Sequence, residues 1–339
     1  MESSLLTCFL VDRDAHGALQ RGVSRQPLDR LPPGEVLIRV AWSSLNYKDA
    51  LASQAHPGIV RHLPHVPGID AAGTVVESRD ARYTPGQEVI VTGYELGAGQ
   101  WGGWAEYIRV PASWVVPLPE GLSLREAMIL GTAGFTAAQC VDALLRNGVC
   151  SSQGPIVVTG ATGGVGSLAV KLLARLGFTV TAVTGKPSLA SRLKDWGATE
   201  VLDRSAVLDL SDKPLLSARW AGAVDTVGGF TLATLVRQTR PYGVVAACGL
   251  VGGTELHLTV HPFILRGVIL AGIGSAMLPY DRRLEIWRKL SGPWRIPHLE
   301  DVVTTVTLDE LAGAVERILQ GEIVGRILVD LKAAANVGH

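Results

Sequence analysis

The stretch Gly160-Ala161-Thr162-Gly163-Gly164-Val165-Gly166 concentrates more chemistry than any other part of this sequence. Spaced glycines let a backbone approach a pyrophosphate, whose charge is stabilised by the amides and dipole at a helix start. Such a turn is informative only between a strand and a helix. Here it follows the apolar run Ile156 to Thr159 and precedes a helical pattern with Val165, Leu168, Ala169, Leu172 and Leu173 on one face. A second apolar run, Phe178 to Val183, ends in Thr184-Gly185-Lys186. NAD-binding folds usually place an acidic residue at that point for the ribose hydroxyls. This chain has Lys186 there, and a cation suits a 2′-phosphate. The pattern predicts NADPH binding, where an isolated glycine-rich turn would signal no more than a tight connection.

The surrounding pattern supplies the elements that must position this turn. From Pro155 to about Ile273 strands and helices alternate, the sign of a parallel sheet covered on both faces. Candidate strands at 156–159, 178–183, 200–202, 222–226, 243–247 and 268–272 give the six of a full doubly wound dinucleotide-binding domain. Before it, short runs at 35–40, 73–77, 88–92 and 104–110 are punctuated by Gly and Pro, which suggests a compact β-rich domain. Residues 122–141 read as helical. The tail reads as helix 281–290, strand 302–307, helix 308–320 and strand 324–330. The expected α/β architecture is a β-rich domain over 1–128, a Rossmann domain over 129–273 and a segment 274–339 returning to the first.

Composition narrows the function classes. The 339 residues suffice for two domains, and 47% hydrophobic with 18% charged residues is an ordinary globular balance. Thirty-one basic and 31 acidic residues cancel, which argues against a nucleic-acid or membrane-surface partner. No uninterrupted apolar stretch approaches the roughly 18–20 residues of a membrane span, and residues 1–17 lack the basic start and long apolar core of a secretion signal, so none is expected. The four cysteines, Cys8, Cys140, Cys150 and Cys248, are scattered without a CxxC pair, as expected for reduced thiols in the cytoplasm.

Beyond the turn, several segments match in order: SSLNYKDALA (43–52), PGIDAAGTVV (67–76), GGWAEYIRV (102–110), ILGTAGFTAAQCV (129–141), VDTVGG (224–229), CGLVGG (248–253) and PFILRGVILAGIGSAMLP (262–279). Over Ser43 to Val329 the chain resembles a zinc-free medium-chain dehydrogenase/reductase, within the acrylyl-CoA reductase and quinone oxidoreductase branch. The resemblance implies a GroES-like catalytic domain beside the Rossmann domain. Zinc members of this superfamily ligate metal with a cysteine near residue 45, a His-Glu pair after the glycine at 68, and a four-cysteine lobe further on. This chain has Ser44-Leu45-Asn46, then Ile69-Asp70, and no cysteine in 93–101. His56, His62 and His65 lack acidic or thiol company, so no metal is expected.

Without a Lewis acid, the chemistry that remains suits hydride addition to a C=C bond conjugated to a carbonyl. The resemblance implies NADPH between the two domains, its nicotinamide facing Asn46-Tyr47-Lys48-Asp49. Asn46 is suited to donate to a substrate carbonyl or enolate oxygen, or else caps the helix starting at Tyr47. Tyr47 is placed to contact the nicotinamide end, close the cleft or donate a proton, its alternative being a packed aromatic. Asp49 orients its neighbours. Thr162, Gly163, Gly164, Val165 and Gly166 would wrap the pyrophosphate, with Thr184, Gly185, Lys186 and Arg204 around the 2′-phosphate. Thr136, Leu250, Ile264 and Ser275 match positions near the nicotinamide, whereas Gly321 stands where the family has a contacting asparagine. Arg282 and Arg283 either meet the phosphates of a CoA handle or form a solvated helix face. The expected activity is reduction of a short enoyl-CoA such as acrylyl-CoA. The alternatives are an NADPH:quinone oxidoreductase or an NADPH-binding protein with little turnover. A homodimer joined along the strand at 267–273 is expected.

Overall fold

The computed structural model describes residues 5–332, which divide into two compact units. The first holds the described residues up to Thr132 together with 276–291 and those from His298 onward; the second holds Ala133–Ser275 and 292–297.

In the first unit, β1 (Leu5–Arg13) and β2 (Leu19–Pro27) form an antiparallel hairpin. Next come β3 (Val36–Leu45), the short helix α1 (Tyr47–Ser53), β4 (Asp70–Ser78), β5 (Glu88–Thr92), β6 (Tyr107–Val110) and β7 (Val116–Pro117). Helix α2 (Leu124–Arg146) begins in this unit and ends in the second. It is broken at Gly131, whose φ of 49° and ψ of −154° lie outside helical space. By length and a mean hydropathy of 1.4 an 18-residue window of α2 resembles a membrane span, but 83% of that window is buried, as in a core helix. Thr132, Thr136, Gln139 and Asp142 interrupt its apolar residues, so no uninterrupted apolar run marks it in the sequence.

The second unit is a six-stranded parallel sheet. Its elements are β8 (Ile156–Val158), α3 (Gly164–Arg175), β9 (Val180–Thr184), α4 (Ala190–Asp195), β10 (Glu200–Asp203), β11 (Trp220–Asp225), α5 (Gly229–Gln238), β12 (Thr239–Ala247), α6 (His261–Arg266) and β13 (Ile269–Gly272). All strands pair in parallel in the order β10-β9-β8-β11-β12-β13. Every residue of β8, β9 and β11 is buried, which explains their unbroken apolar runs. Strand order reverses at β8, and a crevice at the carboxyl ends of strands around such a point is where ligands bind in this fold.

The chain then re-enters the first unit with α7 (Tyr280–Ser291), β14 (Val303–Thr307), α8 (Leu311–Leu319) and β15 (Arg326–Asp330). β15 pairs antiparallel with β3, placing Ile327 opposite Leu45 and completing the order β14-β15-β3-β4-β5-β7, with β6 also on β3. The fold class expected from sequence is thereby borne out, and its strands lie within a few residues of their predicted places. The hairpin β1–β2 was not foreseen, because β2 (LQRGVSRQP) has no apolar alternation.

Candidate active site

The first unit buries two carboxylates beside the start of α1. Asp49 and Asp70 are both fully buried. Asp49 Oδ1 accepts the backbone N–H groups of Ile69 at 2.7 Å and Gly68 at 3.2 Å, and its Oδ2 accepts that of Asn46 at 2.7 Å. Asp70 accepts Ser44 Oγ at 2.6 Å, Thr132 Oγ1 at 2.6 Å, and the Thr132 N–H at 2.9 and 3.0 Å. That last contact places a carboxylate at the start of the helical stretch that resumes after Gly131, where the helix dipole favours negative charge.

Asn46 bridges the pair. Its Nδ2 lies 2.8 Å from Asp70 Oδ2 and 3.1 Å from Asp49 Oδ2, while its Oδ1 accepts Arg326 Nη1 at 3.1 Å. The amide that the sequence reading offered to a substrate oxygen is thus engaged on both sides, and Asn46 serves the helix start instead. Arg326 is 2% exposed, donates Nε to Ile129 O at 2.9 Å, and holds Nη2 3.9 Å from Asp70 Oδ2 with no hydrogen-bond partner. Burial, then the charge of Asp70, pushes the Asp49 carboxyl up to about 7. Burial also lowers the Arg326 pKa, against the attraction of Asp70 and Asp49. Tyr47, the first residue of α1, is 44% exposed above this base, so the packed-aromatic alternative does not apply.

The family's zinc does not fit here. Asp70 is the remaining carboxylate of the expected ligand set, but Ser44, Asn46 and Thr132 saturate its oxygens and a guanidinium stands beside it. Among the described residues no group of three or more His, Cys, Asp or Glu side chains is placed to hold a metal. The three histidines do not converge: His65 is buried with Nε2 3.1 Å from Gly97 O, and His56 Nδ1 accepts the Gly58 N–H.

In the second unit the turn after β8 is built from backbone. The Ala161 N–H donates to Val183 O at 3.1 Å, tying the turn to β9, and Gly163 donates to Gly160 O at 2.9 Å. Gly163 precedes α3, which opens with Gly164, Val165 and Gly166; first-turn amides have no intrahelical acceptor and are free for an anion. A β-carbon on Gly166 would stand 2.3 Å from Gly160 O, so only glycine allows this approach. Thr162 Oγ1 lies 3.4 Å from Thr184 Oγ1, which accepts the Lys186 N–H at 3.0 Å. The exposed Arg204 reaches over Gly185, where an added β-carbon would meet its Cζ at 2.9 Å. Thr162, Thr184, Gly185, Lys186 and Arg204 are therefore one cluster, two of them cations, and the site fits a phosphorylated dinucleotide.

Below the turn, Asp225 accepts Thr159 Oγ1 at 2.7 Å and the Gly228 N–H at 2.7 Å, locking the ends of β8 and β11. Leu250 and Ile264 are exposed, at 64% and 73%, in the loop after β12 and on α6; Thr136 is buried in α2, and Ser275 is half-buried. Neither reading of the arginine pair holds for Arg283. It is fully buried, donates to Thr92 O and Ala276 O at 2.8 and 2.9 Å, and lies 4.3 Å from the Tyr94 ring centroid. Arg282 pairs with Glu285.

The pattern described as the alcohol dehydrogenase GroES-like domain matches residues 32–120, and that described as zinc-binding dehydrogenase matches 164–289. Acrylyl-CoA reductase AcuI of Ruegeria pomeroyi is 46% identical over 330 residues, 97% of this chain and 100% of the relative. The chain belongs to the medium-chain dehydrogenase/reductase superfamily, in its acrylyl-CoA reductase and YhdH-type branch. Among solved members of this branch, the YhdH oxidoreductase of Salmonella enterica in complex with NADP is 45% identical with a TM-score of 0.92, over 96% of this chain and 99% of that one. Bacillus subtilis YhfP with NAD bound is 47% identical with a TM-score of 0.94, over 97% and 100%.

Proposed function

We propose that this protein is an NADPH-dependent reductase of a short α,β-unsaturated acyl-CoA, converting acrylyl-CoA to propionyl-CoA. The observation that carries this reading is the full-length similarity to an acrylyl-CoA reductase. The first compact unit is assigned to catalysis and the second to the cofactor. Gly163, Gly164, Val165 and Gly166 receive the pyrophosphate with Thr162. Thr184, Gly185, Lys186 and Arg204 receive the 2′-phosphate, and Thr136, Leu250, Ile264 and Ser275 serve the nicotinamide end. Bound NADPH supplies the hydride for the β-carbon of the enoyl thioester.

The chain's own groups hold geometry. Asp49, Asp70, Asn46 and Arg326 fix the first turn of α1, so the exposed Tyr47 stands on a rigid base to contact substrate or cofactor. Asn46 and Asp49 are positioning residues, whereas Tyr47 is the catalytic candidate. Asp70, whose oxygens are taken by Ser44, Asn46 and Thr132 with the Arg326 guanidinium beside them, is unsuited to bind a metal, which supports the reading of a zinc-independent enzyme. A homodimer through the edge strand β13, beside the exposed Ile264 and Leu265, and a cytoplasmic location for its reduced thiols complete the proposal.

Turnover of NADPH with acrylyl-CoA and with a simple quinone, measured side by side, tests the reading. Saturable turnover of the acyl-CoA is expected, and chelator treatment leaves it unchanged. Turnover of the quinone alone would move the protein to the quinone oxidoreductases. Elution as a monomer would remove the dimer.

A further inference from the structure

The nucleotide turn and the loop after β12 are both backed by a residue that neither of them contains. We infer that Thr226 is a positioning residue for NADPH: its hydroxyl fixes the peptide that opens the turn, and its backbone seats the loop 248–253. Thr226 directly follows β11 and is half-buried. Its Oγ1 donates to Thr159 O at 2.9 Å, and its N–H donates to Thr159 Oγ1 at 3.0 Å. Thr159 Oγ1 in turn donates to Asp225 Oδ1 at 2.7 Å, and the Thr159 N–H donates to Val224 O at 3.0 Å. The residue that leaves β8 is thus held at its amide, hydroxyl and carbonyl, all by residues 224–226.

The carbonyl matters most, because the next residue is the first glycine of the turn. Gly160 has a φ of 56°, in the left-handed region that favours glycine. With that conformation, the Thr159–Gly160 peptide sets the direction of the Gly160 carbonyl. That carbonyl accepts the Gly163 N–H at 2.9 Å, and a β-carbon on Gly166 would stand 2.3 Å from it. Rotation of the peptide would therefore displace the residues that open α3, whose first-turn amides are the ones free for an anion. The hydroxyl also closes the space beside the turn: a β-carbon on Gly160 would lie 2.3 Å from Thr226 Oγ1.

Behind Thr226 stands the loop after β12. A β-carbon on Gly249 would meet Thr226 O at 2.1 Å, the Gly252 N–H donates to Val227 O at 2.7 Å, and the Cys248 N–H donates to Asp225 O at 2.9 Å. Leu250 in this loop is exposed and is assigned to the nicotinamide end. One threonine therefore lies between the segment proposed for the pyrophosphate and the segment proposed for the nicotinamide. Valine in its place keeps the shape but takes the donor from the Thr159 carbonyl and sets a methyl group against Gly160. The effect on affinity rests on the cofactor assignment proposed above; the contacts do not.

The test titrates NADPH into the full chain and its variants by fluorescence and records the melting temperature of each without cofactor. Thr226→Val should raise the Kd for NADPH about tenfold, the upper size of one neutral hydrogen bond, and Thr226→Ser should bring it back to within about twofold of the parent. Thr239→Val is the control. Thr239 is buried at the amino end of β12, away from the turn, and its hydroxyl donates to Leu235 O at 2.7 Å. Its loss should lower the melting temperature without moving the Kd. In a cycle of Thr226→Ala and Gly160→Ala, the double variant should lose less affinity than the product of the single losses, because removing the hydroxyl clears space for the new β-carbon. A parent-like Kd in Thr226→Val, no recovery with serine, an equal loss in Thr239→Val, or losses that multiply in the cycle would each overturn the inference. Should Thr226→Val fail to fold, the cycle decides. Failure of the parent to bind NADPH would instead sink the cofactor assignment, and the same cycle read in melting temperatures would still decide the Thr226–Gly160 contact.

Discussion

The two polar centres of this protein are built in opposite ways. The nucleotide turn of the second unit uses backbone from one short stretch, 160–166, with cations from the ends of the next two strands. The carboxylate centre of the first unit uses side chains from β3, the start of α1, the start of β4, α2 and β15, positions as far apart in sequence as Ser44 and Arg326. A backbone site tolerates side-chain change except where a β-carbon would collide. A side-chain site of buried charges tolerates almost none, because each member neutralises or hydrogen-bonds another.

The contrast can be tested in decreasing order of expected effect. Arg326→Leu leaves two buried carboxylates without their cation, and denaturant unfolding should show a loss of about 3–5 kcal/mol. A stable variant would mean that the network is not a charge-balanced unit. Gly166→Ala forces a β-carbon against Gly160 O, at a cost of about 1–3 kcal/mol of overpacking felt chiefly as lost NADPH affinity. Parent-like binding by calorimetry would show that the turn relaxes freely. Lys186→Asp should cut the ratio of kcat/KM for NADPH over NADH by roughly 10–100-fold, the equivalent of about 1.5–3 kcal/mol for a charged hydrogen bond. Equal kcat/KM for both cofactors in the parent would remove Lys186 as a determinant; the NAD-bound YhfP structure makes this control essential.

The smallest effect concerns pH. The Asp49 carboxyl, at about 7 in the folded protein, lies above its usual 3.8, so the folded state binds this proton more tightly than the unfolded state. Its stabilising contribution is complete below the unfolded value and is lost as pH rises through about 7. Melting temperatures at pH 5 and pH 8 should reveal this as a difference between parent and Asp49→Asn, the variant having the weaker pH dependence. Identical dependence in the two proteins would show that another group titrates.

Much of the second unit was legible in the sequence. Its inner strands β8, β9 and β11 are buried throughout, which forces continuous apolar runs, and its turn demands glycine at fixed offsets. The first unit was legible only in part. The four runs at 35–40, 73–77, 88–92 and 104–110 correspond to β3, β4, β5 and β6, but the polar strand β2 carried no alternation to find. In the sequence Asp70 stands out only as a departure from a zinc-ligand pair, and no local pattern marks Arg326 as its partner.

The sequence by itself determined the parallel six-stranded sheet, the glycine-rich turn with Lys186 at the end of the following strand, and the absence of the cysteine and histidine ligands of the family's zinc. Each of these is written in contiguous residues, because strand periodicity, turn glycines and ligand types are local properties. Tertiary structure alone decided that Arg326 reaches Asn46 and Asp70, that Asn46 spends its amide on the network, and that Arg283 is buried. These depend on which side chains share a desolvated space. Burial and strand pairing between distant segments fix that, and no local pattern records it.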